Sequence, residues 1–130
     1  MTGGPATILV VDDHHLNLEL VTEVLTAAGY VIRQARSAEE ALAWTRKERL
    51  DMILMDIGLP GMDGYAAVRA LKADPATKAI PTVAITAFAM AGDEKRAFQS
   101  GFDGYITKPI HTRSLAQTVA RFMGGRGRSA

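Results

Sequence analysis

The chain of 130 residues contains no cysteine. That removes disulfides and thiolate zinc sites, and it fits a reducing cytosol. It also lacks an excess of either charge: 15 lysines and arginines stand against 14 acids, for a net charge of +1. No bulk charge therefore argues for nucleic acid or a membrane surface as partner. No apolar stretch reaches the length needed to cross a bilayer. The start, Met1-Thr2-Gly3-Gly4-Pro5-Ala6-Thr7, has no basic region ahead of its apolar run, which argues against a secretory leader. No internal repeat is present.

What remains is a globular balance, 48% hydrophobic and 22% charged, in a length suited to one domain with one core. Four apolar runs end in chemistry. Ile8-Leu9-Val10-Val11 leads into Asp12-Asp13, and Met52-Ile53-Leu54-Met55 into Asp56. Val83-Ala84-Ile85 ends at Thr86, and Tyr105-Ile106-Thr107 at Lys108, followed by Pro109. Short apolar runs separated by helix-length segments read as buried parallel strands. In an open parallel sheet, ligands bind outside the carboxyl ends of the strands. Two acidic ends, a hydroxyl and an amine are thus expected in one crevice.

The spacing predicts strands over 7–11, 30–35, 52–56, 80–85 and 105–107. Between and after them it predicts helices over 15–28, 38–48, 65–73, 89–100 and 112–123. Leu16, Leu20, Val21, Val24, Leu25 and Ala28 supply the apolar face of the first helix, and Gly29 ends it. Ser37 and Glu40 form a capping box for the second. Val68 and Leu71 face inward from the third, and Leu115, Val119 and Phe122 from the last. The fourth helix, with Asp93-Glu94-Lys95-Arg96, is polar for a packed element, and Gly101 stops it. Strands alternating with helices indicate an α/β doubly wound domain, five parallel strands flanked by five helices. Residues 7–123 are expected to form it, with 1–6 and 124–130 as flexible ends and no output domain after them. Met1 and the short tail favour a chain that stands alone.

Asp12, Asp13 and Asp56 crowd like charges, which repel unless a cation joins them. A hard divalent ion such as Mg²⁺ suits a few carboxylates, water and a phosphate oxygen, and it neutralises charge on an incoming phosphoryl group. One carboxylate is then free to act as nucleophile. Lys108 offers a fixed positive charge and Thr86 a hydroxyl donor to a phosphoryl oxygen. Asp12-Asp13 also stands where it can cap the first helix, with Asp13 open to both roles. His14 and His15 follow the pair, but carboxylate-rich Mg²⁺ sites seldom use imidazole. His111 is expected at the surface, and Met52, Met55 and Met62 in packing.

Taken jointly, these motifs resemble the receiver domain of two-component response regulators over residues 7–123. The acid pair ends the first strand. Asp56 opens Asp56-Ile57-Gly58-Leu59-Pro60-Gly61-Met62-Asp63-Gly64, Thr86-Ala87 ends the fourth strand, and Lys108-Pro109 the fifth. The stretches Ile85-Thr86-Ala87-Phe88-Ala89-Met90 and Asp103-Gly104-Tyr105-Ile106-Thr107-Lys108-Pro109-Ile110 are most similar to single-domain cell-cycle regulators and hybrid-kinase receivers.

The resemblance implies a flavodoxin-like receiver fold with strand order 2-1-3-4-5; the second strand carries no site residue, which suits an edge. It implies that Asp56 accepts a phosphoryl group from a phosphohistidine on a histidine kinase or histidine phosphotransfer protein. Asp13, Asp56 and the Gly58 backbone carbonyl would ligate Mg²⁺, with Asp12 acting through a water. Lys108 would pair with the phosphate, and its bond to Pro109 is expected to be cis. Thr86 and Tyr105 would switch, reshaping a face built from the fourth helix, fifth strand and fifth helix. Gly58 and Phe88 depart from common family residues and are expected to tune phosphoryl lifetime.

The chain is expected to be no enzyme beyond promoting its own phosphorylation and dephosphorylation. The resemblance further implies a cytoplasmic monomer or weak dimer that binds a downstream protein target. A haloacid-dehalogenase-like phosphatase needs a second acid where Gly58 stands, and there is no room for a cap domain. A receiver-like module that is never phosphorylated would typically have lost the acid pair or the lysine. A flavin site would need a phosphate-cradling loop where Asp12-Asp13 stands.

Overall fold

The computed structural model describes residues 5–57, 64–86, 93–107 and 112–127. Five strands alternate with five helices in chain order. The strands are β1 (Thr7–Val11), β2 (Val31–Ala35), β3 (Met52–Asp56), β4 (Thr82–Thr86) and β5 (Gly104–Thr107). The helices are α1 (His15–Ala27), α2 (Ala38–Lys47), α3 (Gly64–Ala73), α4 (Asp93–Ser100) and α5 (Thr112–Gly127). All strand pairings are parallel and the order is β2-β1-β3-β4-β5. The sheet is therefore doubly wound, with β2 at the edge as expected.

Alternate strand residues point to opposite faces, and both faces are covered. Leu9, Val11, Ile53, Met55 and Ala84 pack with Ala38, Ala41, Val68, Leu71 and Ala97 from α2, α3 and α4. Ile8, Val10, Met52, Leu54, Val83 and Ile85 pack with Leu18, Val21 and Leu25 of α1 and Leu115 and Val119 of α5. Two covered faces account for strands that read as continuous apolar runs rather than alternating ones. Met52 and Met55 are fully buried, as packing residues should be.

The expected helix stops are present. At the end of α1, Gly29 has φ +104°, and the N–H groups of Gly29 and Tyr30 donate to the Thr26 and Leu25 carbonyls. At the end of α4, Gly101 has φ +122°, and the N–H groups of Gly101 and Phe102 donate to the Phe98 and Ala97 carbonyls. Both are Schellman closures, which need a left-handed residue that glycine supplies without a Cβ penalty. At the start of α2, the Ser37 hydroxyl accepts from the Glu40 N–H at 3.1 Å. The Glu40 carboxylate reaches back to the Arg36 N–H at 2.8 Å, one residue before the cap itself.

The rotation of α1 differs in part from the expected one: Val21, Val24 and Leu25 pack on the core as expected, but Leu16 and Leu20 do not. Leu16 is 67% exposed and Leu20 39% exposed, whereas Leu18, Val21 and Leu25 are buried. Both sets have helical spacing, so periodicity alone cannot choose between them; the packing of α1 on the sheet selects the second. Helix α5 continues to Gly127, beyond the expected end at 123. Propagating a formed helix needs no new nucleation, so local propensity misplaces such ends readily. Strand β4, Thr82–Thr86, starts two residues later than expected and ends one later, because Ile80 belongs to the turn after α3.

Candidate functional site

The site lies at the carboxyl end of the sheet, where the register brings separate strands level. Val11 of β1 pairs with Met55 of β3, so Asp12, immediately after β1, comes level with Asp56. The backbone N–H of Ile57 donates to the Ile85 carbonyl at 2.9 Å, holding the chain just past Asp56 against β4. Asp12 is 3% exposed, its own N–H donating to the Ala35 carbonyl at 3.0 Å. Its Oδ1 accepts from the His14 N–H at 2.9 Å. His14 is the residue that caps α1, and its side chain makes no capping bond. The local role expected of the acid pair thus falls to Asp12, through the entry to the helix, rather than to Asp13. Asp13 is exposed and Asp56 half-buried.

Asp12, Asp13 and Asp56 each offer a carboxylate oxygen, and the three oxygens lie within 4.8 Å of one another. Three hard oxygen donors at that separation, graded from buried to exposed, suit a hard divalent cation with room for water and a phosphoryl oxygen. No imidazole joins this group among the described residues. His15 instead meets Glu19 one turn along the helix, at 3.0 Å.

Thr86 is buried at 6% exposure, at the end of β4. Ala84 pairs with Tyr105 and Thr86 with Thr107. Thr86 and Tyr105 therefore share one face of the sheet on neighbouring strands, two register positions apart. Tyr105 is half-buried and packs on the cluster formed with α2, α3 and α4. Thr107 is the last residue of β5. Lys108, Pro109, Gly58, Phe88, Met62 and His111 lie outside the described residues. So of the predicted site residues, the structure places Asp12, Asp13, Asp56, Thr86 and Tyr105, and it brings the three carboxylates together.

One exposed apolar pair was missed by periodicity. Leu16 and Leu20 stand exposed on α1, the helix that follows the acid pair. The signal for it was Leu18, which completes a second apolar set with Val21 and Leu25.

A sequence model of the response regulator receiver domain matches residues 8–120. The polar-differentiation response regulator DivK of Brucella anthropi is 40% identical over 120 residues, covering 92% of this chain and 98% of that protein. A response regulator structure from Chloroflexus aurantiacus superposes with a TM-score of 0.88 at 34% identity, covering 92% of this chain and 98% of that one. The receiver domain of a sensor histidine kinase from Pseudomonas aeruginosa superposes with a TM-score of 0.85 at 31% identity, covering 93% and 99% of the two chains. That structure holds a magnesium ion coordinated in its active-site cleft. Among the described residues, no helix is long and apolar enough to cross a membrane.

Proposed function

The chain belongs to the response regulator receiver domain family of two-component signalling, and on that premise we propose that Asp56 is its phosphoacceptor. The observation that carries the assignment is the convergence of Asp12, Asp13 and Asp56 within 4.8 Å at the carboxyl end of the sheet. Asp56 ends the central strand β3 and is half-buried, flanked by β1 and β4. One of its oxygens attacks phosphorus as the phosphorus–nitrogen bond of a phosphohistidine breaks. The bond pair leaves with the imidazole of the donor, a histidine kinase or histidine phosphotransfer protein. Asp13 and Asp56 would hold Mg²⁺ directly, together with the Gly58 backbone carbonyl, and Asp12 would hold it through a water. Bound there, Mg²⁺ supplies positive charge against the incoming phosphoryl group.

Lys108 pairs with a phosphoryl oxygen, and the Thr86 hydroxyl donates to another. Thr86 and Tyr105 share a sheet face, so a shift of Thr86 towards the phosphoryl group changes the space beside Tyr105. Gly58 and Phe88, which depart from common family residues, would tune the lifetime of the phosphoryl group. The exposed Leu16 and Leu20, on the helix that follows the acid pair, offer apolar area to the donor protein. Residues 7–123 constitute the receiver. Output is cytoplasmic binding of a downstream protein rather than DNA, by a monomer or weak dimer, and the net charge of +1 suits that reading. The module is no enzyme beyond promoting its own phosphorylation and dephosphorylation.

Incubation with acetyl phosphate and Mg²⁺, followed by mass spectrometry, tests the assignment. A single modification at Asp56, absent in Asp56→Asn and in excess chelator, is expected. Equal labelling of Asp56→Asn would sink it.

A further inference from the structure

Helix α4 is thinly anchored. Among its described side chains only Ala97 is buried, and Phe98 is 45% exposed. The Arg69 guanidinium of α3 reaches the Ser100 hydroxyl at the long distance of 3.4 Å. A firmer tie is made by Arg96, whose guanidinium carbon lies 4.2 Å from the centre of the Tyr65 ring. Tyr65 is 6% exposed, and its ring meets Phe102 edge-on at 6.3 Å. Phe102 is the residue that closes the end of α4. Tyr65 is thus held by the core, whereas Arg96 is exposed and reports the position of α4. Tyr65 is also the second residue of α3, the helix that follows Asp56 in the chain.

A cation attracts an aromatic face out to about 6 Å from the centroid. From 4.2 Å, a displacement of α4 by about 2 Å would forfeit the contact, while Ala97 has little area to lose. The geometry points to Arg96 on Tyr65 as a latch that favours the resting position of α4 and thereby lowers the affinity of the Asp56 site for a phosphoryl group. This inference rests on the phosphoacceptor reading of Asp56. A contact made in one of two states biases the equilibrium towards that state, and the coupling is reciprocal. Removing the latch should therefore tighten binding at a site to which it contributes no ligand. Simple electrostatics predicts the opposite, because losing a cation weakens the binding of an anion.

The test uses the full chain with Mg²⁺ and beryllofluoride as phosphoryl mimic, comparing wild type, Arg96→Met and Arg96→Lys. Arg96→Met keeps most of the aliphatic stem and removes the cation; Arg96→Lys keeps the cation. Arg96→Met is expected to bind beryllofluoride about two- to fivefold more tightly, the scale of an exposed cation–π pair. It should also speed amide exchange in α4, with Arg96→Lys staying near wild type. Unchanged or weaker binding by Arg96→Met overturns the latch, as does an equal shift in Arg96→Lys. If wild type fails to bind beryllofluoride, the phosphoacceptor reading fails instead. Amide exchange in α4 still judges the contact in that case, and unchanged protection in Arg96→Met overturns it.

Discussion

Lys72 Nζ and Asp103 Oδ2 lie 2.9 Å apart, joining α3 to the turn before β5 across 31 residues of sequence. The same Nζ donates to the carbonyls of Lys78 at 3.2 Å and Ile80 at 2.9 Å, so all three ammonium protons have acceptors. Asp103 in turn brackets the start of β4. Its Oδ2 accepts from the Thr82 N–H at 2.8 Å, and its own N–H donates to the Thr82 carbonyl at 2.7 Å. This cluster sets the entry to β4 and β5, the strands that end in Thr86 and lead to Lys108.

Asp103→Ala is expected to destabilise the fold by about 1–3 kcal/mol, because the buried Thr82 backbone loses its acceptor. Asp103→Asn keeps an acceptor and should recover most of that loss. Urea denaturation measures both, and equal losses would show that the charge pair matters more than the Thr82 bond.

Asp12 and Asp13 should separate in two assays. Asp13→Ala is expected to weaken Mg²⁺ binding more, because the exposed Asp13 is assigned direct ligation. Asp12→Ala is expected to lower stability more, by about 1 kcal/mol, because it removes the acceptor for the His14 N–H at the entry to α1. Metal titration and thermal melts, run on both variants, check the pair of orders.

Gly104 is required by a close approach rather than by its φ. A Cβ there would stand 2.8 Å from Phe122 Cε2 and closer still to Cζ. Gly104→Ala should cost about 1–3 kcal/mol by overpacking. The cost should fall in a Phe122→Leu background, and a double-mutant cycle that shows simple additivity would remove this explanation.

Arg33 and Glu48 give a pH signature. Arg33 Nε and Nη2 donate to the two Glu48 oxygens at 2.8 and 3.2 Å, on a pair about one-third exposed. The hydrogen bond from Arg33 holds the Glu48 carboxyl below the usual carboxylate range. A lowered folded pKa contributes stability above the unfolded value, about 4.3, and that contribution is lost as pH falls through the folded value. The stability gap between wild type and Glu48→Gln should therefore shrink from about pH 7 to about pH 3, with urea melts at each pH as the measurement.

Much of this molecule is legible in the chain itself. Strands β1 and β3, the Gly29 and Gly101 helix stops, and the Ser37 cap follow from local rules: buried parallel strands are continuous apolar runs, and Schellman closures need a left-handed residue. The acid pair and Asp56 are recognisable because each ends such a run. Other features depend on partners far away in sequence. Whether Leu16 or Leu18 faces the core is a rotation of α1 decided by packing on the sheet, since both lie on apolar stripes of helical spacing. That Asp12 and not Asp13 ties the entry of α1 depends on the backbone path after β1, which the Asp12–Ala35 bond to β2 holds in place. The contacts of Arg96 with Tyr65, Lys72 with Asp103 and Phe122 with Gly104 join residues with no local pattern to announce them. Local periodicity and turn chemistry act within a few residues, so the sequence by itself determined the elements and the chemistry at their ends. Only the three-dimensional packing of those elements decided which side chains meet.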